Sequence, residues 1–143
     1  KLQQEIGDKF GTANSLNNLG NLARDQGDYV RARVFYQDSL VLNQEMGAKW
    51  ALAYLIDDIG LLFALEGKPH RALLLVGAAS ALRERIGAPR SPDDQVKLDR
   101  VLAPAREALD KETQLAAERA GAAMSLDEVI DYIMQQEAAA QPA

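Results

Sequence analysis

The chain contains no cysteine, one histidine, one tryptophan, four tyrosines and three phenylalanines in 143 residues. Without cysteine there is no disulfide framework, no thiolate metal site and no cysteine nucleophile. No apolar run approaches the roughly 20 residues that span a bilayer, and no charged-then-apolar leader is present. With few aromatic and β-branched residues, little is left to build sheets. What is abundant is alanine, 24 residues, and leucine, 20 residues. These two lead the helix-propensity scale, so composition alone predicts an all-α chain. The length suits one domain with a real core.

Basic charge is also scarce. Sixteen Lys and Arg face 21 Asp and Glu, a net charge of −5. Direct nucleic-acid binding is not expected, because a phosphate backbone calls for a cationic footprint. The deficit is local: residues 1–90 sum to +1 and residues 91–143 to −6. After Arg119 only Asp127, Glu128, Asp131 and Glu137 carry charge, which reads as a solvated acidic face.

The chain repeats itself. Leu2, Gln4, Glu5, Gly7 and Lys9 recur as Leu42, Gln44, Glu45, Gly47 and Lys49, and an echo follows at Leu82-Arg83-Glu84-Arg85-Ile86-Gly87. Ala13, Gly20, Gly27, Arg31 and Ala32 return as Ala53, Gly60, Gly67, Arg71 and Ala72, all at one 40-residue step. A fixed period of this length marks a repeat architecture. Each unit reads as two amphipathic helices: Ala13, Leu16, Leu19, Gly20 and Ala23 on the first, Ala32, Phe35, Tyr36, Ser39 and Leu40 on the second. Gly27 and Gly47 are the expected stops, Asp28 caps the second helix, and Pro69 takes its first turn in unit two. By the same register Gly7 closes a second helix over Lys1 to Ile6, so the sequence reads as cut within a repeat. A dimer through that end is expected to be a product of the cut. Gly20 and Gly60 lie inside helices, which predicts close approach of the partner helix, with Ala32 and Ala72 opposite.

Beyond residue 90 the period fades. Ser91-Pro92 opens a helix whose apolar face is Leu98, Val101, Leu102, Ala105 and Leu109, with Pro104 expected to kink or split it. Asp110 caps a short helix that Gly121 ends, and Ser125-Leu126-Asp127-Glu128 is a capping box before Val129, Ile130 and Ile133. The expected organisation is helical repeats over 1–90, capping helices over 91–137 and a flexible tail over 138–143.

Leu19-Gly20, Gly27-Asp28-Tyr29, Ala32 and Tyr36 fall at the spacing of a tetratricopeptide repeat, and the 40-residue unit resembles the long variety of MalT-type regulators and kinesin light chains. Unit two departs from it at Phe63 and Val76. Arg71-Ala72, Gly77-Ala78-Ala79, Leu82-Arg83, Gly87-Ala88-Pro89, Arg106, Leu109, Gly121 and Met124-Ser125-Leu126-Asp127-Glu128 resemble the end of the repeat region in bacterial LuxR- and AfsR-type STAND regulatory ATPases. That resemblance implies an α-α superhelix with a helical cap, cytoplasmic, at the C-terminus of a larger bacterial transcriptional or signalling regulator. Its nucleotide-binding domain would lie upstream.

Nothing here reads as catalytic. There is no Ser-His-Asp set, phosphate-binding glycine loop or metal-ligand spacing, and His70 is expected to be exposed at a helix start. No cofactor and no metal is implied. Asn14, Asn17, Asn21 and Arg24 step by three and four, forming one polar stripe on a first helix. By resemblance, Asn18 and Asn21 stand where long-repeat scaffolds place peptide-binding asparagines. In unit two Tyr54, Asp57 and Asp58 occupy the corresponding face, and at least one carboxylate should face a groove. These residues, from Asn14 through Asp58, are the candidate site for a peptide segment or partner domain, the latter within the parent protein or outside it. With Asp57 and Asp58 in place, a neutral or basic segment is expected. Phe10 and Trp50 share a repeat position and are expected to pack against a preceding unit. The alternatives are a small-molecule inducer sensor, which needs an enclosed apolar pocket, and a structural spacer.

Overall fold

A computed structural model describes the backbone of residues 2–140 and the side chains of residues 4–135. Seven helices follow one another: α1 (Leu2–Asp25), α2 (Tyr29–Met46), α3 (Lys49–Leu65), α4 (Pro69–Ile86), α5 (Pro92–Glu107), α6 (Lys111–Ala122) and α7 (Leu126–Ala140). The described residues contain no strand, so the all-α expectation holds. None of these helices is long and apolar enough to cross a membrane.

Local chemistry sets most boundaries. Gly27, Gly47, Gly67 and Gly87 all adopt positive φ, where a side chain would be strained, and each reverses the chain between helices. The Asp28 side chain accepts the Arg31 amide and opens α2, while Pro69 sits in the first turn of α4. Ser91 accepts the Asp94 amide at 3.1 Å and Asp110 the Thr113 amide at 2.7 Å. Ser125 and Glu128 exchange bonds of 2.9 and 3.2 Å, a complete capping box.

Three expected boundaries fall elsewhere. Gly7 does not end a helix: α1 runs through it, and no atom lies within 4 Å of where its Cβ would be. At Gly47 and Gly87 the reversal lets the next helix pack on the last one. Gly7 is not among the positive-φ glycines, and the hydrogen-bond ladder of α1 continues through it. Pro104 does not split α5, which continues to Glu107. The ring forfeits one amide near the helix end, where few bonds remain to lose. Gly121 does not terminate α6; it lies inside the helix, buried, for a reason given below. α7 extends through Ala140, and the remainder of the expected tail, 141–143, lies outside the described residues.

The first four helices form two hairpins, α1 with α2 and α3 with α4, and the core runs between them through Ala32, Tyr36, Leu40, Ala53, Ile56, Leu62, Ala72 and Leu75. Gly20 is where the fully buried Tyr36 ring crosses α1: a Cβ there would stand 2.5 Å from a ring carbon. The residue opposite the glycine is therefore the tyrosine, where the sequence suggests Ala32. In unit two the mate of Tyr36 is Val76, 3.2 Å from the Gly60 position. Leu19 and Leu22 are exposed on α1, whereas their register mates Ile59 and Leu62 are buried beside Tyr36.

The segment read as a cap divides. α5 lies against α3 and α4, α6 crosses α4 at close range, and α7 returns to α4 with Val129, Ile130 and Ile133 buried. Register explains α5: at the 40-residue step Tyr54, Asp57, Asp58 and Leu61 correspond to Asp94, Lys97, Leu98 and Val101. α5 thus stands where a third unit would place its first helix.

Candidate functional site

The first helices α1, α3 and α5 border a cleft of about 710 Å³. From α1 come Asn21, Arg24 and Asp25; from α3 Tyr54, Asp57, Asp58, Leu61 and Leu65; from α5 Asp94, Lys97, Leu98, Arg100 and Val101. Tyr29, Arg83 and Arg90 complete it. Nine of these sixteen side chains are charged; the aliphatic ones are Leu61 and Leu65 in the C-terminal half of α3 and Leu98 and Val101 on α5. Of the residues singled out from the sequence, Asn21, Arg24, Tyr54, Asp57 and Asp58 share this cleft. Asn17 stands beside Asp58 without lining it. Asn14 and Asn18 are exposed on α1 outside the lining.

Two electrostatic units form the floor. Asp57, on the groove face of α3, is buried, and Arg90 clamps it with Nε to Oδ2 at 2.8 Å and Nη2 to Oδ1 at 2.7 Å. Arg90 also donates Nη1 to the Ser80 hydroxyl at 2.8 Å. Arg83, itself buried, brings Nε within 3.4 Å of the same carboxylate and lies over the Tyr54 ring, 4.3 Å from its centroid. Two guanidinium groups therefore flank one carboxylate. The planar fork of arginine suits such a bidentate contact, which lysine would not reproduce. The partner of Asp57 is thus Arg90, from the α4–α5 connection.

In the second unit, Arg24 Nη1 is 3.7 Å from Asp58 Oδ1 and its Nε donates to Asp25 at 3.3 Å. Burial pushes the Asp58 carboxyl up to about 6, with the Asp57 charge adding to it and Arg24 and Asn17 opposing. Behind them, the Tyr36 hydroxyl donates to Asn21 Oδ1 at 2.6 Å, and burial, reinforced by Asp58, raises its pKa. Asn21 thus orients its amide by bonding inward.

The Asp58 shift has a consequence for stability. Its folded pKa lies above the unfolded 3.8, so the folded state holds the proton more tightly. Its contribution grows as pH falls from about 6 toward 4. The Asp110 and Glu128 carboxylates, held low by the amides they cap, lose their contribution only on further acidification. Asp58→Asn is expected to raise stability at pH 8 by on the order of 2 kcal/mol, with the gain shrinking to nothing near pH 4. Urea unfolding of both proteins across that range measures it; a pH-independent difference would contradict the assignment.

Trp50 does not pack against the unit that precedes it. Trp50 is 59% exposed and meets Tyr54 edge-on at 6.4 Å between centroids, and Phe10 is 40% exposed. Residues 50, 54, 57 and 61 share one helical face, and that face borders the groove; Leu52, Ala53 and Ile56 make the interior contact. His70 is exposed at the start of α4. Among the described residues no group of three His, Asp or Glu side chains is arranged to hold a metal ion. Arg83, Arg90, Lys97 and Arg100 were not visible as site residues. The register finds two of them, since Arg90 and Lys97 are mates of Trp50 and Asp57; Arg100 is the mate of the packing glycine Gly60, so no period signals it.

No curated protein and no solved structure matches the chain. Residues 12–46 match the tetratricopeptide repeat family, a stretch that covers α2 and most of α1. Repeats of that family generally mediate protein–protein interaction and are typically non-catalytic. Joined to the hairpins above, this match makes the fold an all-helical, tetratricopeptide-like repeat.

Proposed function

We propose that the chain is a non-catalytic interaction module whose concave cleft engages an extended segment of a partner protein or a neighbouring domain. The observation that carries this reading is the division of labour within the repeat. Positions shared between units, Ala13/Ala53, Gly20/Gly60, Gly27/Gly67 and Ala32/Ala72, are packing and turn positions. Positions lining the cleft differ between units: Tyr54 and Asp94; Asp57 and Lys97; Asp58 and Leu98; Asn21, Leu61 and Val101. Some packing positions differ too, Ala23/Phe63 and Tyr36/Val76, but these stay apolar or aromatic, whereas the cleft positions change in charge and polarity from unit to unit. A predominantly charged, three-walled cleft with a leucine-rich end favours an extended peptide over a small apolar inducer. The likeness of residues 71–134 to the repeat ends of LuxR- and AfsR-type regulators supports placing the module in a larger bacterial regulator, where binding would shift the parent between states.

The test is selection of binding segments from a displayed library of random peptides of about 12 residues, a length that spans such a groove. The selected pool is expected to lose about tenfold or more in affinity for Leu61→Asn/Leu65→Asn, which removes the apolar end. The convex-side control Val30→Asn/Val34→Asn is expected to bind as the native protein does. An empty selection, or binding indifferent to the cleft variant, would refute the reading.

A further inference from the structure

The charge of the cleft is not what Asp57 and Asp58 suggest on their own. Asp57 is occupied by Arg90 and flanked by Arg83, so it presents no free negative charge to a ligand. Asp58 stands against Arg24 with only part of its side chain exposed. Lys97 and Arg100 project from α5 into the same space, both exposed, and among the described residues neither has an ion-pair or hydrogen-bond partner. Arg24 is engaged within the cleft, with Nη1 3.7 Å from Asp58 and Nε donating to Asp25. Of the anions that remain, Asp25 is held by Arg24 Nε and Asp94 lies in the first turn of α5. Five cationic side chains line the cleft against four anionic ones, in a protein whose overall charge is −5.

Resting on the reading of the cleft as a peptide groove, we infer that its occupant is an acidic segment of a partner protein, an extended stretch bearing Asp or Glu side chains. Lys97 and Arg100 meet its carboxylates, and Leu61, Leu65 and Val101 take a neighbouring apolar side chain. Charge complementarity is the argument: unpaired ammonium and guanidinium groups on a groove wall are satisfied by carboxylates. The overall charge of −5 works against such a segment away from the cleft and so adds to the discrimination. This reverses the neutral or basic partner expected from the sequence, where Arg90 had not been set against Asp57.

The experiment is the composition and charge dependence of the selected pool. Enrichment of Asp and Glu over the input library is expected. An acidic peptide from that pool should bind Lys97→Glu/Arg100→Glu about tenfold or more weakly, Lys97→Gln/Arg100→Gln to an intermediate degree, and the native protein less well as salt rises to about 0.5 M. Circular dichroism should show unchanged helix content, since both residues are exposed. A pool that is neutral or enriched in Lys and Arg overturns the inference, as does binding that survives the charge reversal. Either result leaves the groove reading standing if Leu61→Asn/Leu65→Asn still abolishes binding. An empty selection removes both.

Discussion

Gly121→Ala is expected to destabilise the protein by about 1–3 kcal/mol, although alanine is the better helix former by about 1 kcal/mol. The opposing term is the crossing of α6 over α4. A Cβ on Gly121 would meet the Leu74 carbonyl group, with its carbon at 2.8 Å, and the Ala78 amide nitrogen at 3.0 Å. On the other helix, a Cβ on Gly77 would stand 2.7 Å from the Glu118 Cα. These obstacles are backbone, which cannot rotate aside, so α6 must back away and open the contact that buries Ala117 and Leu74. Gly7→Ala is the internal control. It too is helical, but with nothing within 4 Å it should stabilise by about 0.5–1 kcal/mol. Urea unfolding of the two variants should therefore give shifts of opposite sign. A Gly121→Ala protein as stable as the native one would show that the two helices have room to spare.

Gly121 also marks what a sequence conveys and what it withholds. Glycine near the end of an amphipathic stretch commonly signals a C-cap, and at Gly47 and Gly87 that reading is right because the next helix folds back there. At Gly121 the same residue serves a helix crossing, and its counterpart is Gly77, a glycine inside α4 that faces the Glu118 backbone of α6. The hairpins, their caps and the packing face were legible because each rests on spacing within a single helix: Ala13 to Ala23, Ser125 to Glu128, Asp28 before α2. The cleft was legible only in part. Asn21, Arg24, Tyr54, Asp57 and Asp58 announce a polar face on α1 and α3. The ion pair of Asp57 joins residues 33 apart, from a helix and a connecting loop, and no local period encodes it. Asn14 and Asn18 lie on α1 outside the lining of the cleft. The repeat position that Trp50 shares with Phe10 suggests packing against a preceding unit, but its spacing with Tyr54 and Asp57 puts it on the groove side.

Removing Arg90 is expected to cost stability and to loosen the third wall of the cleft together. Its side chain is 9% exposed and that of Asp57 is 11% exposed, so the pair is buried. Breaking such a pair from one side costs about 3–5 kcal/mol, because the remaining charge stays in a poorly solvating place. Arg90→Ala should fall at the lower end, since Arg83 still stands 3.4 Å from Asp57. Asp57→Ala should fall higher, since it strands two guanidinium groups side by side. The double variant should cost less than the sum of the two, and the difference measures the coupling. Arg90 also ties the start of α5 to α3 through Asp57 and to α4 through Ser80. Hydrogen exchange in α5 should accordingly rise in Arg90→Ala while the interior of α2 and α3 stays protected. Because Lys97 and Arg100 are carried on α5, binding of an acidic segment should weaken in the same variant even where the protein remains folded. Additive losses, or unchanged exchange in α5, would show that the pair merely occupies space, and the cleft would then owe its third wall to the packing of Leu98 and Leu102 alone.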